Sequence, residues 1–271
     1  MIRVAPLLEE QSAAALALLA EEPHLNVYLM YLLERDALMR RSVVGAVNDE
    51  KLVGVAYIGR QIVLAGELAA AEAFAGYSAG IPRPKAITAP TPLVDCFWDR
   101  LPAWHRSARL IREHQPVMAV DRSTLKCVHA ASVQVRRATL ADINVVVKNS
   151  GEMIAGELDS DPRLHAAEFE ANIRSMIESD LWWLGEYDGE VAFLCHIGSW
   201  SSLTAQMQGI WSLPHLRNKG IATAAFSAIC NRLLDIVPSL CLYVNDFNYT
   251  AIALYERLGY VRVGEFRTIL F

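Results

Sequence analysis

Apolar and polar residues alternate through Ile2-Arg3-Val4-Ala5-Pro6-Leu7 and then give way to a helical apolar spacing, which predicts a short strand leading into a helix. The same opening returns at Val133-Gln134-Val135-Arg136-Arg137-Ala138-Thr139-Leu140, ahead of Ala141-Asp142-Ile143. Two later stretches also match. Val43 to Ile58 (VVGAVNDEKLVGVAYI) predicts a hairpin turning at Asn48-Asp49, and Trp182 to Ile197 (WWLGEYDGEVAFLCHI) predicts one turning at Asp188-Gly189. One order of elements used twice points to a weak internal duplication. A strand at Pro116 to Val120 closes the first copy, and the boundary is expected near residue 130, giving modules 1–130 and 131–271.

The last third carries the clearest pattern. Ala205 to Trp211 is strand-like, Pro214 breaks it, and Ile221 to Val237 has a helical apolar pattern ended by Pro238. Leu240 to Val244 then reads as a short buried strand, Asn248 as a helix cap, Tyr249 to Leu258 as a helix, Gly259 as its stop, and the remainder as a final strand.

Composition narrows the class. The 271 residues are 53% hydrophobic, with Lys+Arg 25 against Asp+Glu 30 and a formal net charge of −5. That balance describes a core-rich globular protein and excludes disordered, coiled-coil and collagen classes. It also argues against a broad nucleic-acid surface. The early apolar run from Ala13 to Ala20 is flanked by glutamates and is too short for a membrane span, so neither a signal peptide nor a membrane partner is expected. Five scattered cysteines form no C-x-x-C pair, and the seven histidines show no ligand spacing; reduced thiols, a cytoplasmic location and no metal are the simplest expectation.

Between the strand and helix of the last third lies Arg217-Asn218-Lys219-Gly220-Ile221-Ala222. Backbone N–H groups at a helix N-terminus can point at an anion, Gly220 allows close approach, Ala222 stays small, and Arg217 and Lys219 add positive charge. No G-K-[ST] follows and the G-x-G-x-x-G glycines are missing, which disfavours ATP and NAD. This stretch resembles the [Q/R]-x-x-G-x-[G/A] phosphate loop of the GNAT superfamily of acyl-CoA-dependent N-acyltransferases. The resemblance continues through Asn248, Ala251, Leu254, Tyr255, Gly259 and Tyr260, which follow the family's N-x-x-A-x-x-L-Y-x-x-x-G-[F/Y] pattern. It covers about residues 131–271, and in architecture the chain is similar to two-module members with a degenerate first half.

The resemblance implies an α/β (α+β) fold of tandem GNAT-like modules, each a mixed, mostly antiparallel twisted sheet flanked by helices. It implies acetyl-CoA as co-substrate, lying where the strand at Ala205 to Trp211 parts from the strand at Leu240 to Val244. Backbone groups of Ile210, Trp211 and Ser212 would hold the pantetheine arm and acyl carbonyl. Residues 217–223, that is Arg217, Asn218, Lys219, Gly220, Ile221, Ala222 and Thr223, would hold the pyrophosphate, with Asn248 as cap or cofactor contact. A small-molecule or protein amine would attack the thioester directly. Tyr255 is the candidate acid for the departing thiolate, against the alternative of a core aromatic. Where many relatives place a glutamate on the strand before the loop, this chain has Gln206 and Gln208, and an amide takes no proton. Glu157 is the favoured substitute base, with Glu152, Glu186, His196, His215 or a water chain as alternatives.

Ile81 to Pro92 (IPRPKAITAPTP) stands where the first module's phosphate loop is expected; its prolines lack donors, so that module should not bind CoA. Trp182, Trp183, Trp200 and Trp211 are assigned to core rather than to a ligand platform. A non-catalytic acyl-CoA-binding regulator and, more remotely, an aminoacyl-tRNA-dependent transferase remain as competing functions.

Overall fold

The computed structural model describes residues 2–36, 38–158 and 162–271. The first module runs β1 (Arg3–Pro6), α1 (Ser12–Leu19), α2 (Pro23–Arg35), β2 (Val43–Asn48), β3 (Lys51–Ile58), β4 (Gln61–Gly66), α3 (Leu68–Ser78), β5 (Ala86–Pro90), α4 (Thr91–Asp99), α5 (Pro102–His105) and β6 (Leu110–Asp121). The second repeats that order, without a counterpart of α5, as β7 (Val133–Arg137), α6 (Ile143–Leu158), α7 (Ala166–Glu178), β8 (Trp182–Tyr187), β9 (Glu190–Trp200), β10 (Thr204–Ser212), α8 (Ile221–Leu233), β11 (Ser239–Tyr243), α9 (Tyr249–Arg257) and β12 (Val261–Leu270). The expected tandem of mixed, mostly antiparallel sheets with flanking helices is present.

The way the modules join is not written in the periodicity. Among the described residues, the strands form one sheet in the order β1-β2-β3-β4-β5-β12-β6-β11-β10-β9-β8-β7. Each module's last strand crosses over to lie beside the other module's β5-type strand: β6 pairs with β11 from Val117↔Tyr243 to Asp121↔Ser239, and β12 pairs with β5 from Pro90↔Phe266 to Ala86↔Leu270. β6 and β12 also pair with each other along most of their length. Exchanging the long strands removes two sheet edges that separate modules would expose.

Alternation assigns each face. On β8 and β9, Trp183, Phe193 and Cys195 pack with Phe226, Ile229 and Leu233 of α8, whereas Trp182, Leu184 and Leu194 pack with Val146, Ile173 and Ile177 of α6 and α7. Phe226, with no exposed surface, contributes on the order of 2–3 kcal/mol by burial. In the first module Phe74, Val94 and Phe97 cover one face, and Leu19, Leu29 and Leu32 the other.

Several expectations need adjustment. The first hairpin turns on Asp49 and Glu50, both at positive φ (46° and 69°), one residue later than the pattern suggested, because a two-residue turn of this twist takes left-handed backbone at both centres. The second turns on Asp188 and Gly189 as expected. The strand closing the first module begins at Leu110 rather than Pro116, since it is long enough to span both β11 and β12. Helix α8 ends at Leu233, ahead of a turn into Pro238.

Candidate active site

β10 and β11 run parallel, but only Thr204↔Ser239, Ala205↔Leu240 and Gln206↔Cys241 pair. Beyond Gln206 the strands part, while β10 continues to Ser212 and β11 to Tyr243. A bulge on the other side of β10 accompanies the parting. Gln208 lies opposite His196 and Trp211 opposite Leu194, so Gly209 and Ile210 together face Cys195 alone. Gly209 takes φ +61°, a backbone that an L side chain resists. The edge of β10 carrying Ile210, Trp211 and Ser212 is thereby left facing a gap instead of a strand.

At the top of that gap the chain makes a 3₁₀ turn (Pro214–Leu216), then enters α8 through Asn218 at φ +61° and Gly220 at φ +76°. The first intrahelical bond of α8 is from the Ala224 N–H to the Gly220 carbonyl, so the N–H groups of Ile221, Ala222 and Thr223 have no acceptor inside the helix. Arg217 lies back over the Trp211 ring at 5.7 Å and donates from Nε to the Ser212 carbonyl at 3.3 Å. Lys219 is exposed beside it. The turn therefore presents uncommitted N–H groups with two cations alongside, a donor set that suits a diphosphate.

Asn248 caps α9, its Oδ1 accepting from the Ala251 N–H at 3.2 Å, so the capping assignment holds for the oxygen. Tyr255 is 5% exposed and its ring sits edge-on to Phe226 at 5.9 Å and tilted to Tyr260 at 5.8 Å. Its packing is that of a core aromatic, on the helix that follows β11. Neighbouring Tyr260 is wholly enclosed, and burial raises its phenol well above the ordinary value. Burial likewise pushes the Cys230 thiol, 3.3 Å from the Tyr260 hydroxyl, up to about 12. Glu157 falls in the last turn of α6, and its side chain lies outside the described residues. Glu152 is exposed on the same helix, Glu186 is bound to Arg136 at 2.8 Å, and His215 is paired with Glu190 at 3.1 Å on the surface.

Gln206 and Gln208 bond each other, Gln208 Nε2 donating to Gln206 Oε1 at 2.6 Å. Gln208 also hydrogen-bonds His196, whose imidazole is pulled down to about 4 by burial, with the Gln208 bond acting the other way. The His196 ring lies 4.4 Å from that of Trp182. A Cβ on Gly209 would come within 2.6 Å of His196 Nδ1, and one on Gly198 within 2.3 Å of the Gln208 amide carbon, so both glycines make room for this cluster. Glycines inside strands were the available signal for it. Trp182 and Trp183 are core residues as assigned, while Trp200 stacks under Arg35 of the first module at 4.0 Å. Among the described residues no cluster of His, Cys, Asp or Glu is arranged to hold a metal, and no helix is long and apolar enough to cross a membrane.

The first module repeats the parting of strands: β4 and β5 pair in parallel only at Gln61↔Ala86, Ile62↔Ile87 and Val63↔Thr88. Its counterpart of the phosphate turn is Gly66-Glu67-Leu68, entering α3, and not Ile81 to Pro92, which contains β5 and the start of α4. The order strand, turn, helix places the turn before the helix that precedes β5. Glu67 occupies the N-cap position of α3 without a side-chain capping bond and with no cation beside it in sequence, and a Cβ on Gly54 would meet Ala70 Cβ at 2.5 Å. A carboxylate at the helix entry and tight helix-on-strand packing oppose diphosphate binding there.

Residues 151–260 match the acetyltransferase (GNAT) family model. This stretch belongs to the GNAT family. Residues 41–146 match a second family, described as a domain of unknown function (DUF4081). No curated protein matches the chain. Among solved structures, a Drosophila protein is similar at 12% identity and TM-score 0.70, over 99% of this chain and 98% of that one. A GCN5-related N-acetyltransferase from Sphaerobacter thermophilus is similar at 13% identity and TM-score 0.61, over 99% and 94%. A tandem GNAT protein from the clavulanic acid biosynthesis pathway is similar at 13% and TM-score 0.54, over 99% and 98%. At these identities the fold is what is shared, and it extends over both halves of the chain.

Proposed function

We propose that the protein is an N-acetyltransferase that moves an acetyl group from acetyl-CoA to a primary amine in the cleft between β10 and β11, with the second module, 131–271, supplying the chemistry. One observation carries the reading: a parallel strand pair that opens after Gln206↔Cys241 directly below a helix entry whose N–H groups are uncommitted. Acetyl-CoA supplies an activated acyl group on a good leaving thiol. The residues present fit its shape and charge. Ile221, Ala222 and Thr223 offer backbone donors to the diphosphate, with Arg217, Asn218, Lys219 and Gly220 shaping the turn. Ile210, Trp211 and Ser212 lie on the unpaired edge of β10, where backbone groups can bond the pantetheine amides and polarise the acyl carbonyl. Tyr255, at the end of the shared face Asn248-Ala251-Tyr255, is assigned as the proton donor to the leaving sulfur: a phenol is protonated at neutral pH and close enough in pKa to a thiol for transfer.

The first module is assigned a supporting role, since its own helix entry carries Glu67. Titration calorimetry with coenzyme A, followed by thiol release from acetyl-CoA in the presence of primary amines, tests the reading; no heat with coenzyme A refutes it. The Gln206–Gln208 bond on the strand that precedes the loop favours one other function, an acyl-CoA-binding regulator. Tight binding with no thiol release across polyamine, amino-sugar and peptide amines would select it.

A further inference from the structure

On the α6 side of β8, β9 and β10, Trp182, His196 and Gln208 stand side by side across the sheet, paired Trp182↔His196 and His196↔Gln208. The Trp182 Nε1 and His196 Nδ1 atoms are buried without a hydrogen-bond partner among the described residues. Leaving a buried polar atom without a partner is unfavourable, and here two such atoms sit in rings that touch.

We propose that His196 is the residue that receives the proton of the acceptor amine, with Gln208 fixing its tautomer and Gly209 admitting the ring to the bulge. The assignment rests on the reading of the cleft as an amine acetylation site and names the proton acceptor that Gln206 and Gln208 do not provide. The local bonding sets the ring's state. Gln208 Nε2 is committed to Gln206, which leaves Gln208 Oε1 to accept from the imidazole N–H. Nδ1, without a partner, then carries the free lone pair. That nitrogen lies against Gly209, at the start of the unpaired edge where Ile210 to Ser212 are assigned to the acyl carbonyl.

The surroundings keep the ring neutral and therefore able to accept. It faces Trp182 from β8 and Gln206 and Gln208 from β10, none of them charged, and Met153 of α6 lies 3.6 Å from the position of a Gly209 Cβ. The charged residues of that stretch of α6 with described side chains, Lys148 and Glu152, are exposed. Among the described residues, burial lowers its titration and the Gln208 bond opposes that shift. In the step itself the amine lone pair forms the C–N bond, the C–S bond breaks with its electron pair leaving on sulfur, and the nitrogen's surplus proton passes to Nδ1. Bonding to the electron-poor acyl carbon makes that proton far more acidic than in the free ammonium, so a weakly basic imidazole suffices. Tyr255 protonates the sulfur, and both groups return to their starting state through water.

The test uses the full chain with acetyl-CoA and a probe set of spermidine, glucosamine and a lysine-containing peptide, and compares the wild type with His196→Gln and Gln208→Glu. His196→Gln should lower kcat about 10²- to 10³-fold with the coenzyme A Kd within twofold. Gln208→Glu places a carboxylate beside the ring and should move the acidic limb of kcat/KM up by about one pH unit or more. Turnover within threefold of wild type in His196→Gln, with an unchanged pH profile, overturns the assignment alone. If His196→Gln fails to fold, an unmoved acidic limb in Gln208→Glu does the same. A wild type that gives no heat with coenzyme A overturns the reading of the cleft and this assignment with it.

Discussion

Replacing Gly220 by alanine separates the binding role of the phosphate turn from its role in stability. Gly220 sits at φ +76°, ψ −3°, and a Cβ built there meets nothing within 4 Å. The substitution is therefore free of steric clash in the protein itself, and its cost is the left-handed backbone alone, about 1–2 kcal/mol. For a chain of this size that lowers Tm by about 2–8 °C, well short of unfolding. Relief of the strain has a second effect. If φ returns to negative values, the Ile221 N–H turns away from the anion position, and a hydrogen bond lost to a charged group is worth about 1.5–3 kcal/mol. One lost bond then weakens coenzyme A by at least about tenfold. Calorimetry with coenzyme A and a thermal melt on the same preparation read both quantities. Gly76→Ala is the control: its Cβ is also in open space, but it lies inside α3 without positive φ, so it should raise stability by about 0.5–1 kcal/mol. Coenzyme A binding within twofold of wild type in a folded Gly220→Ala protein refutes the reasoning.

Tyr255→Phe keeps the ring contacts with Phe226 and Tyr260 and should lower kcat by about tenfold to 10²-fold, less than acid catalysis usually supplies because a thiolate leaves without much help; an unchanged kcat in steady-state assays removes Tyr255 from the mechanism. Asn248→Ala removes the bond to the Ala251 N–H and should cost about 0.5–2 kcal/mol by denaturant titration, whatever happens to cofactor affinity. The Arg136 guanidinium, with bonds from Thr139, holds the Asp142 carboxyl down to about 2. A depressed carboxylate stabilises the fold above its unfolded value near 3.8 and stops doing so as pH falls through 2, so melts taken from pH 5 to pH 2 should lose less stability in Asp142→Asn than in the wild type.

The kinds of elements, their order and the helix entry at Arg217 to Ala222 were legible in the residue pattern alone. Those are local properties: alternation names a strand and its faces, Asn248 and Gly259 bracket a helix, and a glycine ahead of an apolar helical run marks a turn whatever surrounds it. The duplication was legible for the same reason, because β2–β3 and β8–β9 each close on a short turn. Features that depend on partners far apart in the chain were not legible there. That β6 pairs with β11, and β12 with β5, depends on hydrogen bonds between backbones more than 100 residues apart, which side-chain periodicity does not encode. The true counterpart of the phosphate turn, Gly66 to Leu68, became visible only when β4 and β5 were seen to part as β10 and β11 do. His196 was one histidine among seven until the bulge at Gly209, the bare backbone of Gly198 and the amide of Gln208 enclosed it, since the burial and tautomer of a side chain are set by what three strands and a helix bring to it rather than by its neighbours in sequence.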